Sequence, residues 1–532
     1  MGRSSGTCRM KSAFRAAVLA ALLTALALPT AAETVLRVVP HAGLRNFDPI
    51  WTTAYITRNH GYMVYDTLFA TDAELKPQPQ MVESWTVSDD RLTWTFRLRD
   101  GLFWHDGAPV TAEDCVASLR RWAARDSMGR QLFAQLASID APDARTIRLA
   151  LARPYGLVLE SLGKISSNVP FMMPKRLAET DPFQQVSEIV GSGPFMFKKD
   201  EFVPGVKVVY VRNPDYRPRP EPPSATAGGK RAKVDRVEWI YIPDATTAMN
   251  ALMAGEVDFW ELVPPDLAPI LAEARDVKVE VLDRVGSLAI LRFNTLLPPF
   301  DKPEIRRAVL KGLDQEDFLL AAIGNPDFFK LCDGVFPCGT PFASQAGLDL
   351  IRPVDAGAAR AAIRAAGYKG EKVVLLHPTD YATHNGFAAV AVQKLRALGL
   401  NVEDQTMDWA SVTSRRAKKE PLDQGGWSVF PTSFLGVEAA NPVSFSVIGG
   451  EGPNGWFGWL EDHEIEAMRT TFALSTDPAE QTRLAEAVQR RAIELGAFVN
   501  LGTFFIPVAY RSAVDGVIRS PVPIYWNISV KR

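Results

Sequence analysis

The chain has 532 residues, of which 47% are hydrophobic and 23% are charged. This is the composition of an ordinary globular protein, and at roughly 150 residues per domain the length predicts about three folding units. The formal net charge is −2, so the overall charge balance gives no reason to expect nucleic acid or an anionic membrane as a partner.

The N-terminus has the pattern of a secretory signal peptide. Four basic residues precede the apolar run Ala16–Leu28, and small residues follow at Ala31 and Ala32. The apolar run is shorter than the roughly 20 residues that a membrane-spanning helix needs. We therefore predict a signal peptide over residues 1–32 and an exported mature protein that does not span the membrane.

An early stretch, "LFWHDGAPVTAED", places a histidine beside carboxylates, as an active site would. Asp106 is followed by glycine, which is a strong turn dipeptide. Thr111 stands three residues before Asp114, a spacing typical of a capping box at the start of a helix. The sequence therefore favours a structural role for His105, Asp106 and Asp114 over a catalytic one.

The cysteines fit an oxidising compartment. Cys332 and Cys338 flank "DGVFP", whose glycine and proline can turn the chain back on itself. We predict a disulfide between them, worth roughly 2–3 kcal/mol through loop-closure entropy. A metal site is disfavoured because no other cysteine or nearby histidine completes one. Cys115 is predicted to be a buried apolar thiol.

Two segments predict the organisation of the middle of the chain. Asp244 can cap a helix that ends at Gly255. The segment Arg217–Lys233 is rich in proline, glycine and lysine, so we expect an exposed loop there.

Further along, the chain predicts a β-α-β unit. "EKVVLLHP" is a continuous apolar strand, Phe387–Leu398 is an amphipathic helix, and "LNVEDQTM" is a second strand. This order predicts a parallel pair of strands with a right-handed connection. Ligands bind beyond the carboxyl ends of such strands, and Asp380 occupies that position. The whole pattern predicts a mixed α/β protein with an antiparallel early part and a parallel later part.

Motifs for catalysis are missing from the sequence. There is neither a Gly-x-Ser-x-Gly elbow nor a phosphate loop, and the six histidines are scattered. A carboxylate pair of the kind that glycosidases use stays open as an alternative. Instead, aromatic residues cluster with small and hydroxyl residues in "DPIWTTAY", "GGWSVFPTSF" and "NGWFGW". That composition is typical of a small-molecule pocket, with core packing as the alternative for any single ring.

Over essentially the whole mature chain, the sequence resembles the extracytoplasmic solute-binding proteins of family 5, the peptide/nickel type, which deliver ligands to ABC importers. The resemblance rests on the order and spacing of five stretches: "NFDPIWTTAYITRNHGYMVYDTLF", "PQPQMVESWTVSDDRLTWTFRLRDGLFWHDGAPVTAEDCVASLRRW", "VGSGPFMF", "DATTAMNALMAGEVDF" and "FNTLLPPFDKPEIRRAVLKGLD". It implies an α/β, two-lobed periplasmic-binding-protein fold of type II, with mixed sheets, an extra subdomain and a hinge between the lobes.

The resemblance also implies domain boundaries. The main part of the first lobe takes residues 33–76, 182–290 and 500–532, the extra subdomain residues 77–181, and the second lobe residues 291–499. The hinge is then expected in Arg292–Thr295 and again near Asn500–Phe504.

Family position implies that Trp51 and Thr52 lie on the first-lobe wall, and that Trp427 lies at a strand end of the second lobe that contacts ligand. The other ligand-binding candidates come from the strand ends and aromatic-rich segments of the second lobe: Asp380, Thr432, Phe434 and Asn441.

The sequence departs from the peptide binders of the family at one place. Those proteins hold the free amine of the ligand with an aspartate shortly after a Gly-Trp pair. Here no aspartate stands between Asp423 and Asp462, and Glu438 is the nearest carboxylate. Enclosing a peptide ammonium without a paired anion is costly. The sequence therefore favours an uncharged, zwitterionic or differently anchored solute over an ordinary peptide.

The leading hypothesis is a monomeric periplasmic protein that binds a peptide-like or other small organic solute and passes it to a membrane permease. We predict no catalytic residue, no cofactor and no metal. Two alternatives stay open: a secreted hydrolase with a carboxylate pair, and an extracytoplasmic sensor that hands its ligand to a receptor. The solute itself is left open among peptides, modified peptides, sugar conjugates, opines and metal chelates.

Overall fold

The computed structural model describes residues 33–531, apart from the side chain of Ala410. The predicted signal peptide lies outside this range. Within it, every helix is too short or too polar to cross a bilayer.

Seven strands form a mixed sheet, here called the first sheet, around the N-terminal strand of the described chain. Strand β1 (Val35–Val39) is parallel to β12 (Arg236–Ile240) on one side and to β13 (Phe259–Trp260) on the other. Leu36 and Val38 of β1 are fully buried, which places this strand in the core. The remaining strands add antiparallel in the order β10-β11-β12-β1-β13-β21-β14, with β10 at Phe195–Phe197, β11 at Lys207–Arg212, β14 at Val277–Glu280 and β21 at Val508–Arg511.

Six strands form the second sheet, in which the predicted β-α-β unit is confirmed. Strands β17 (Lys372–Pro378) and β18 (Asn401–Met407) are parallel over their full lengths and are joined by helix α11 (Ala382–Ala397). The sheet order is β16-β20-β15-β19-β17-β18, with β15 at Ser287–Phe293, β16 at Phe329–Lys330, β19 at Val429–Leu435 and β20 at Phe498–Phe504.

Helix α11 begins five residues before the predicted Phe387. Its first turns contain polar residues that hide the apolar periodicity, yet Thr383 and His384 are buried there. The ring of His384 stacks on Tyr381 and packs against Trp409, with ring centres 4.1 and 4.8 Å apart. Aromatic packing from outside the helix therefore buries its polar first turn.

A third, antiparallel sheet has the order β5-β6-β8-β7, with β5 at Val82–Val87, β6 at Thr93–Leu98, β7 at Leu136–Asp143 and β8 at Thr146–Leu151. Three short pairs complete the strands: β2 (Asp66–Thr67) with β9 (Phe171–Met172), β3 (Phe69–Thr71) with β4 (Pro77–Pro79), and β22 (Val514–Asp515) with β23 (Ser529–Val530).

The other helices pack against these sheets. They are α1 (Tyr55–Val64), α2 (Ala112–Arg125), α3 (Ser127–Phe133), α4 (Val158–Leu162), α5 (Lys175–Ala178), α6 (Ala245–Ala254), α7 (Ala268–Glu273), α8 (Pro303–Gly312), α9 (Gln315–Ala322), α10 (Ala356–Ala365), α12 (Trp409–Arg415), α13 (Gly436–Ala439), α14 (His463–Leu474) and α15 (Pro478–Glu494). Short 3-10 turns lie at Lys199–Glu201, Pro326–Phe328, Leu348–Leu350, Leu422–Gln424, Ser446–Ile448 and Gly452–Asn454.

The predicted helix signals are confirmed. Thr111 and Asp114 form a capping box at the start of α2. Asp244 caps α6 by accepting from the backbone of Thr247 at 2.7 Å, and Gly255 ends that helix with a φ of 77°. The left-handed conformation at Gly255 is the one that glycine adopts without a steric penalty.

The chain crosses between the first and second sheets twice. One crossing, residues 281–286, joins β14 to β15, and the other, residues 505–507, joins β20 to β21. The hinge expected in Arg292–Thr295 overlaps the end of β15, and the return expected near Asn500–Phe504 lies inside β20. Sheet topology therefore favours crossings a few residues away from those expected, while the domain boundaries stay predictions.

The segment Arg217–Lys233 is irregular, as expected, but residues 225–230 within it are buried. Lys230 is buried with 1% of its surface accessible, and its ammonium pairs with the buried carboxylate of Asp66 at 2.7 Å. Thr226 is also buried and bonds to the backbone of Thr71. Composition alone predicted a solvated loop, because the partners that bury this segment, Asp66 and Thr71, lie far away in sequence.

The predicted disulfide between Cys332 and Cys338 is present. The side chain of Asn500 on β20 holds the loop by donating to the carbonyls of Cys332 and Gly334, each at 2.7 Å. Cys115 is a buried free thiol, as predicted, and burial raises its pKa.

Candidate functional site

Residues from the two sides of the molecule meet between the first and second sheets. Tyr55 starts helix α1 on the side of the first sheet. Its hydroxyl donates to Oε2 of Glu438 and accepts from the backbone N–H of Leu435 at 3.0 Å. Burial and the Glu438 carboxylate raise the pKa of Tyr55 well above its ordinary value. The phenol is therefore a neutral hydrogen-bond donor that joins α1 to the end of β19.

The pKa of two further tyrosines is raised in part by a carboxylate on the other side of the molecule. Burial raises the pKa of Tyr381 to about 12, and the carboxylate of Glu261 adds to the effect from the opposite side. Burial also raises the pKa of Tyr241, with a contribution from Asp380. Together with Tyr55, these residues define the candidate site, which we call the interlobe cleft.

A polar network backs the cleft on the side of the first sheet. The carboxylate of Glu261 accepts from Nδ1 of His41 at 2.6 Å, from Nδ2 of Asn59 at 2.8 Å and from the hydroxyl of Tyr525 at 3.3 Å. Burial alone would raise the pKa of Glu261, but His41 and Arg58 hold it below its ordinary value. The carboxylate of Glu261 is therefore ionised, and its oxygens already accept hydrogen bonds from protein groups beneath the cleft.

Arg58 fixes the position of Tyr55. Its guanidinium carbon lies 4.2 Å from the centre of the Tyr55 ring. The same group donates to Oγ of Ser166 at 2.7 Å and to Oδ1 of Asn59 at 2.8 Å. The cation–π contact and the hydrogen bonds therefore preset the orientation of the phenol that crosses the cleft.

Aromatic side chains form the wall on the side of the second sheet. The ring of Phe434 packs edge-on against Trp456 and Phe445, at 5.2 and 5.5 Å between centres. His384 is buried, and its pKa is lowered to about 3 by burial and by Arg416, so its imidazole is neutral at physiological pH. This wall offers the largely apolar lining that small-molecule sites use.

Trp51 and Thr52 lie directly before α1 and are half-buried. The indole N–H of Trp51 donates to the carbonyl of Phe183 at 3.0 Å. The hydroxyl of Thr52 accepts from the backbone N–H of Ala54 at 3.2 Å. Both residues therefore position the loop that leads into Tyr55, and direct contact with ligand stays a prediction for them.

The predicted residues of the second lobe fall into two groups. Asp380 is exposed and accepts from the backbone N–H of Trp409 at 2.6 Å, while Phe434 and Asn441 are half-buried. Trp427 is fully buried and Thr432 is 3% exposed. The first group is therefore at least partly accessible to solvent, whereas the second is enclosed by protein atoms.

Trp427 supports the wall from within. Its indole N–H donates to the backbone carbonyl of Arg416 at 3.1 Å, and its ring packs edge-on against Phe430 at 4.9 Å. Asn441 uses its Oδ1 to accept from the backbone N–H of Val443 at 2.7 Å. Their roles as ligand contacts stay predictions.

Sequence reasoning did not single out Tyr55, Arg58, Glu261 and Arg416. Tyr55 stands in the aromatic-rich stretch "DPIWTTAY", which carried a usable signal. Arg416 stands in the charged run "SRRAKKE", which is typical of a solvated surface. Only the packing of α12 against the aromatic wall brings Arg416 to the cleft.

Comparison with protein families identifies the chain. Residues 76–456 match the model described as "Bacterial extracellular solute-binding proteins, family 5 Middle". The chain belongs to this family of solute-binding proteins. A probable peptide ABC transporter periplasmic-binding protein of Sinorhizobium fredii is 40% identical over 485 residues, which cover 91% of each chain. A dipeptide-binding protein of Bacillus subtilis is 25% identical, covering 84% of this chain and 82% of the relative.

Solved structures of similar proteins confirm the fold. The agropinic acid complex of the periplasmic binding protein AgaA from A. tumefaciens superposes with a TM-score of 0.79 at 22% identity, covering 94% of this chain and 99% of that one. The DppA protein of Helicobacter pylori, in complex with the peptide STSA, gives a TM-score of 0.78 at 20% identity, with the same coverage. This family 5 protein therefore has the two-lobed, mixed α/β fold of periplasmic binding proteins, as its sequence predicts.

Proposed function

We propose that the mature protein is the periplasmic component of an ABC importer. It captures a peptide-like or other small organic solute between two closing lobes and delivers that solute to the membrane permease. The observation that carries this proposal is the contact between Tyr55 and Glu438, which joins the two sides of the interlobe cleft. The curated relatives support it, because their names describe peptide-binding components of ABC transporters.

The mechanism is a population shift. A solute that touches both walls at once binds the closed form more tightly than the open form, and so it raises the closed population. The contacts of Tyr55 with Leu435 and Glu438 add to the closed form only. The two chain crossings, residues 281–286 and 505–507, are where backbone torsions change during closure.

The cleft wall of the first lobe is assigned to the loop that carries Trp51 and Thr52. Asp380, Phe434 and Asn441 are assigned to the wall of the second lobe, with Trp427 and Thr432 supporting that wall from behind. The predicted boundaries at residues 76/77 and 181/182 are kept for the extra subdomain. Those at 290/291 and 499/500 fall within β15 and β20, so we place the lobe boundaries at the two crossings a few residues away.

The hydrogen bonds that Glu438 already accepts limit the kind of solute that it could bind. Its Oε2 already accepts from the hydroxyl of Tyr55 and from the backbone N–H of Leu435, at 3.3 Å for the latter. A carboxylate occupied in this way is a poor substitute for the amine-binding aspartate of the peptide binders. This supports a solute that is held by a group other than a free ammonium.

The experiment is to purify the mature protein from the periplasm, unfold it, and identify the released solute by mass spectrometry. The refolded protein should bind that solute in calorimetry and become more compact in small-angle scattering. Recovery of the solute unchanged after long incubation supports transport, and chemical conversion of it would favour the secreted hydrolase instead. If no solute is released and none makes the protein compact, the proposed function is wrong.

A further inference from the structure

Arg416 occupies an aromatic box on the second-lobe side of the cleft. It follows the last residue of α12, and its guanidinium carbon lies 4.8 Å from the ring centre of Phe457, 5.7 Å from Trp456, 5.8 Å from Trp409 and 5.9 Å from Phe430. The negative faces of these rings attract a cation electrostatically, and the rings keep water from it.

The guanidinium of Arg416 lacks an acceptor in the described part of the chain. Its Nε is buried and has no hydrogen-bond partner among residues 33–531. Burial lowers the pKa of Arg416 to about 10, and the group that partly offsets this lowering is the hydroxyl of Tyr55 rather than a carboxylate. A buried charged donor without a partner is costly, and proteins rarely keep one without a use.

Two fully buried arginines, Arg292 and Arg121, instead donate to protein acceptors, although the Nε of Arg121 also lacks a partner in the described part of the chain. Arg292 donates to three backbone carbonyls at 2.7–2.8 Å. Arg121 pairs with the carboxylate of Asp48 at 2.7 Å. Arg416 therefore differs from the arginines that serve only to stabilise the fold.

The free donor edge of Arg416 belongs to the cleft. Arg416 and two of the rings around it, Trp456 and Phe457, are half-buried rather than buried, and Tyr55 of the opposite lobe is close enough to raise the pKa of Arg416. We propose that Arg416 is the subsite for a carboxylate of the solute, with the surrounding rings packed against the adjoining apolar part of the same molecule. This assignment rests on the proposed function and names the class of solute that the cleft takes.

The chemistry of the site favours a carboxylate over a phosphate. A guanidinium matches the two oxygens of a carboxylate with two parallel N–H bonds. The neighbouring imidazole of His384 is neutral, so it adds no second positive charge. One unpaired cation among aromatic rings balances a monoanion, whereas a dianion would leave one charge buried and uncompensated.

The test uses a defined pair of probes, 3-phenylpropanoate and 3-phenylpropanamide, on the full mature protein freed of its solute. Calorimetry and saturation-transfer NMR should detect binding of the acid and at least ten-fold weaker binding of the amide. Phenylphosphate is the third probe, and it should bind at least ten-fold more weakly than the acid. Equal binding of acid and amide, no binding of the acid, or preference for phenylphosphate would each overturn the assignment.

Substitutions of Arg416 test whether its side chain binds the carboxylate. Arg416→Gln should weaken binding of the acid at least ten-fold, and Arg416→Lys should recover part of it. Arg415→Gln is the matched control, because Arg415 donates to the carbonyls of Gly425 and Gly426 and should leave binding unchanged. Circular dichroism and thermal unfolding establish that each variant is folded before binding is compared.

The solute released from the wild-type protein separates this assignment from the proposed function. If the protein closes on that solute and returns it intact, but the solute lacks a carboxylate or binds Arg416→Gln equally well, the subsite is wrong and the proposed function stands. If the wild-type protein closes on no solute, or converts it, the proposed function fails.

Discussion

The phenol of Tyr55 and the carboxylate of Glu438 lie 383 residues apart in sequence and share a hydrogen bond across the interlobe cleft. The bond is charge-assisted and sheltered from water, which makes it stronger than a surface bond between neutral groups. Arg58 orients the phenol from its own side and Leu435 donates to it from the other, so the pair joins the two lobes in this closed arrangement.

Removal of the Tyr55 hydroxyl should favour the open form. Tyr55→Phe leaves the buried carboxylate of Glu438 without its cross-cleft donor, a loss of about 1.5–3 kcal/mol for a bond to a charged group. We expect solute affinity to fall about ten-fold or more and the radius of gyration in the presence of solute to rise. Calorimetry and small-angle scattering measure the two effects.

Tyr62→Phe is the control for this experiment. The hydroxyl of Tyr62 donates to the carbonyl of Ile165 at 2.8 Å on the first-lobe side alone. Its loss should lower the free energy of unfolding without changing closure. Equal effects of the two variants on solute affinity would contradict a role of Tyr55 in closure.

Trp427 should affect solute binding through Arg416. Trp427→Phe removes the indole N–H that holds the Arg416 carbonyl, and we expect about 1 kcal/mol less stability from the lost hydrogen bond together with weaker solute binding. Trp104→Phe is the control, since the indole N–H of Trp104 donates to Oδ2 of Asp114 at 3.3 Å in the capping box of α2. A similar loss of stability with unchanged affinity in both variants would assign Trp427 to the core alone.

Asp283 should make stability depend on pH. This carboxylate lies in the crossing 281–286, and burial raises its pKa to about 6 although Arg58 opposes the shift. A raised folded-state pKa gives stability that is fully present below the unfolded pKa of about 4 and is lost as pH rises through about 6. Between pH 4 and pH 7, the contribution amounts to at most about 3 kcal/mol.

Asp283→Asn should remove that dependence, because the amide keeps an oxygen for the N–H of Val285 but does not ionise. Urea unfolding at a series of pH values should show the wild-type protein losing stability relative to the variant as pH rises from 4 to 7. Asp266→Asn, at an exposed position, is the control. Parallel pH profiles for the wild-type protein and Asp283→Asn would refute the prediction.

The disulfide should stabilise the second lobe. Replacing both Cys332 and Cys338 by serine opens a loop with a sequence separation of 6, and loop-closure entropy predicts a loss of about 2 kcal/mol in the free energy of unfolding. A reducing agent should lower the stability of the wild-type protein by a similar amount and leave the double variant unchanged. A comparable response of the double variant to the reducing agent would contradict the prediction, because the free thiol of Cys115 has no bond to reduce.

The sequence predicted those features whose causes are local. The β-α-β unit around α11 and the capped helices followed from periodicity and from residues such as Asp244 and Gly255. The positions of Lys230 and Arg416 did not, because each looks solvated in its own segment. Their environments are created by partners distant in sequence, Asp66 for one and the aromatic wall for the other.

The same limit applies to the candidate site. Trp427 and Phe434 stand in one aromatic-rich stretch, and alternation along a strand cannot tell which of them faces a cleft and which faces the core. The structure separates them, with Trp427 fully buried and Phe434 half-buried. Residues that meet across the cleft, such as Tyr55 and Glu438, can be paired only once both lobes are in place.

The position of β21 has a consequence for biogenesis. This strand comes from the end of the chain yet lies inside the first sheet, between β13 and β14, so that β14 joins the sheet only through it. A polypeptide still lacking its C-terminal segment cannot complete the sheet that its N-terminal strand begins. Folding of the first lobe therefore waits for the end of synthesis, and pairing over such sequence distances makes it slow.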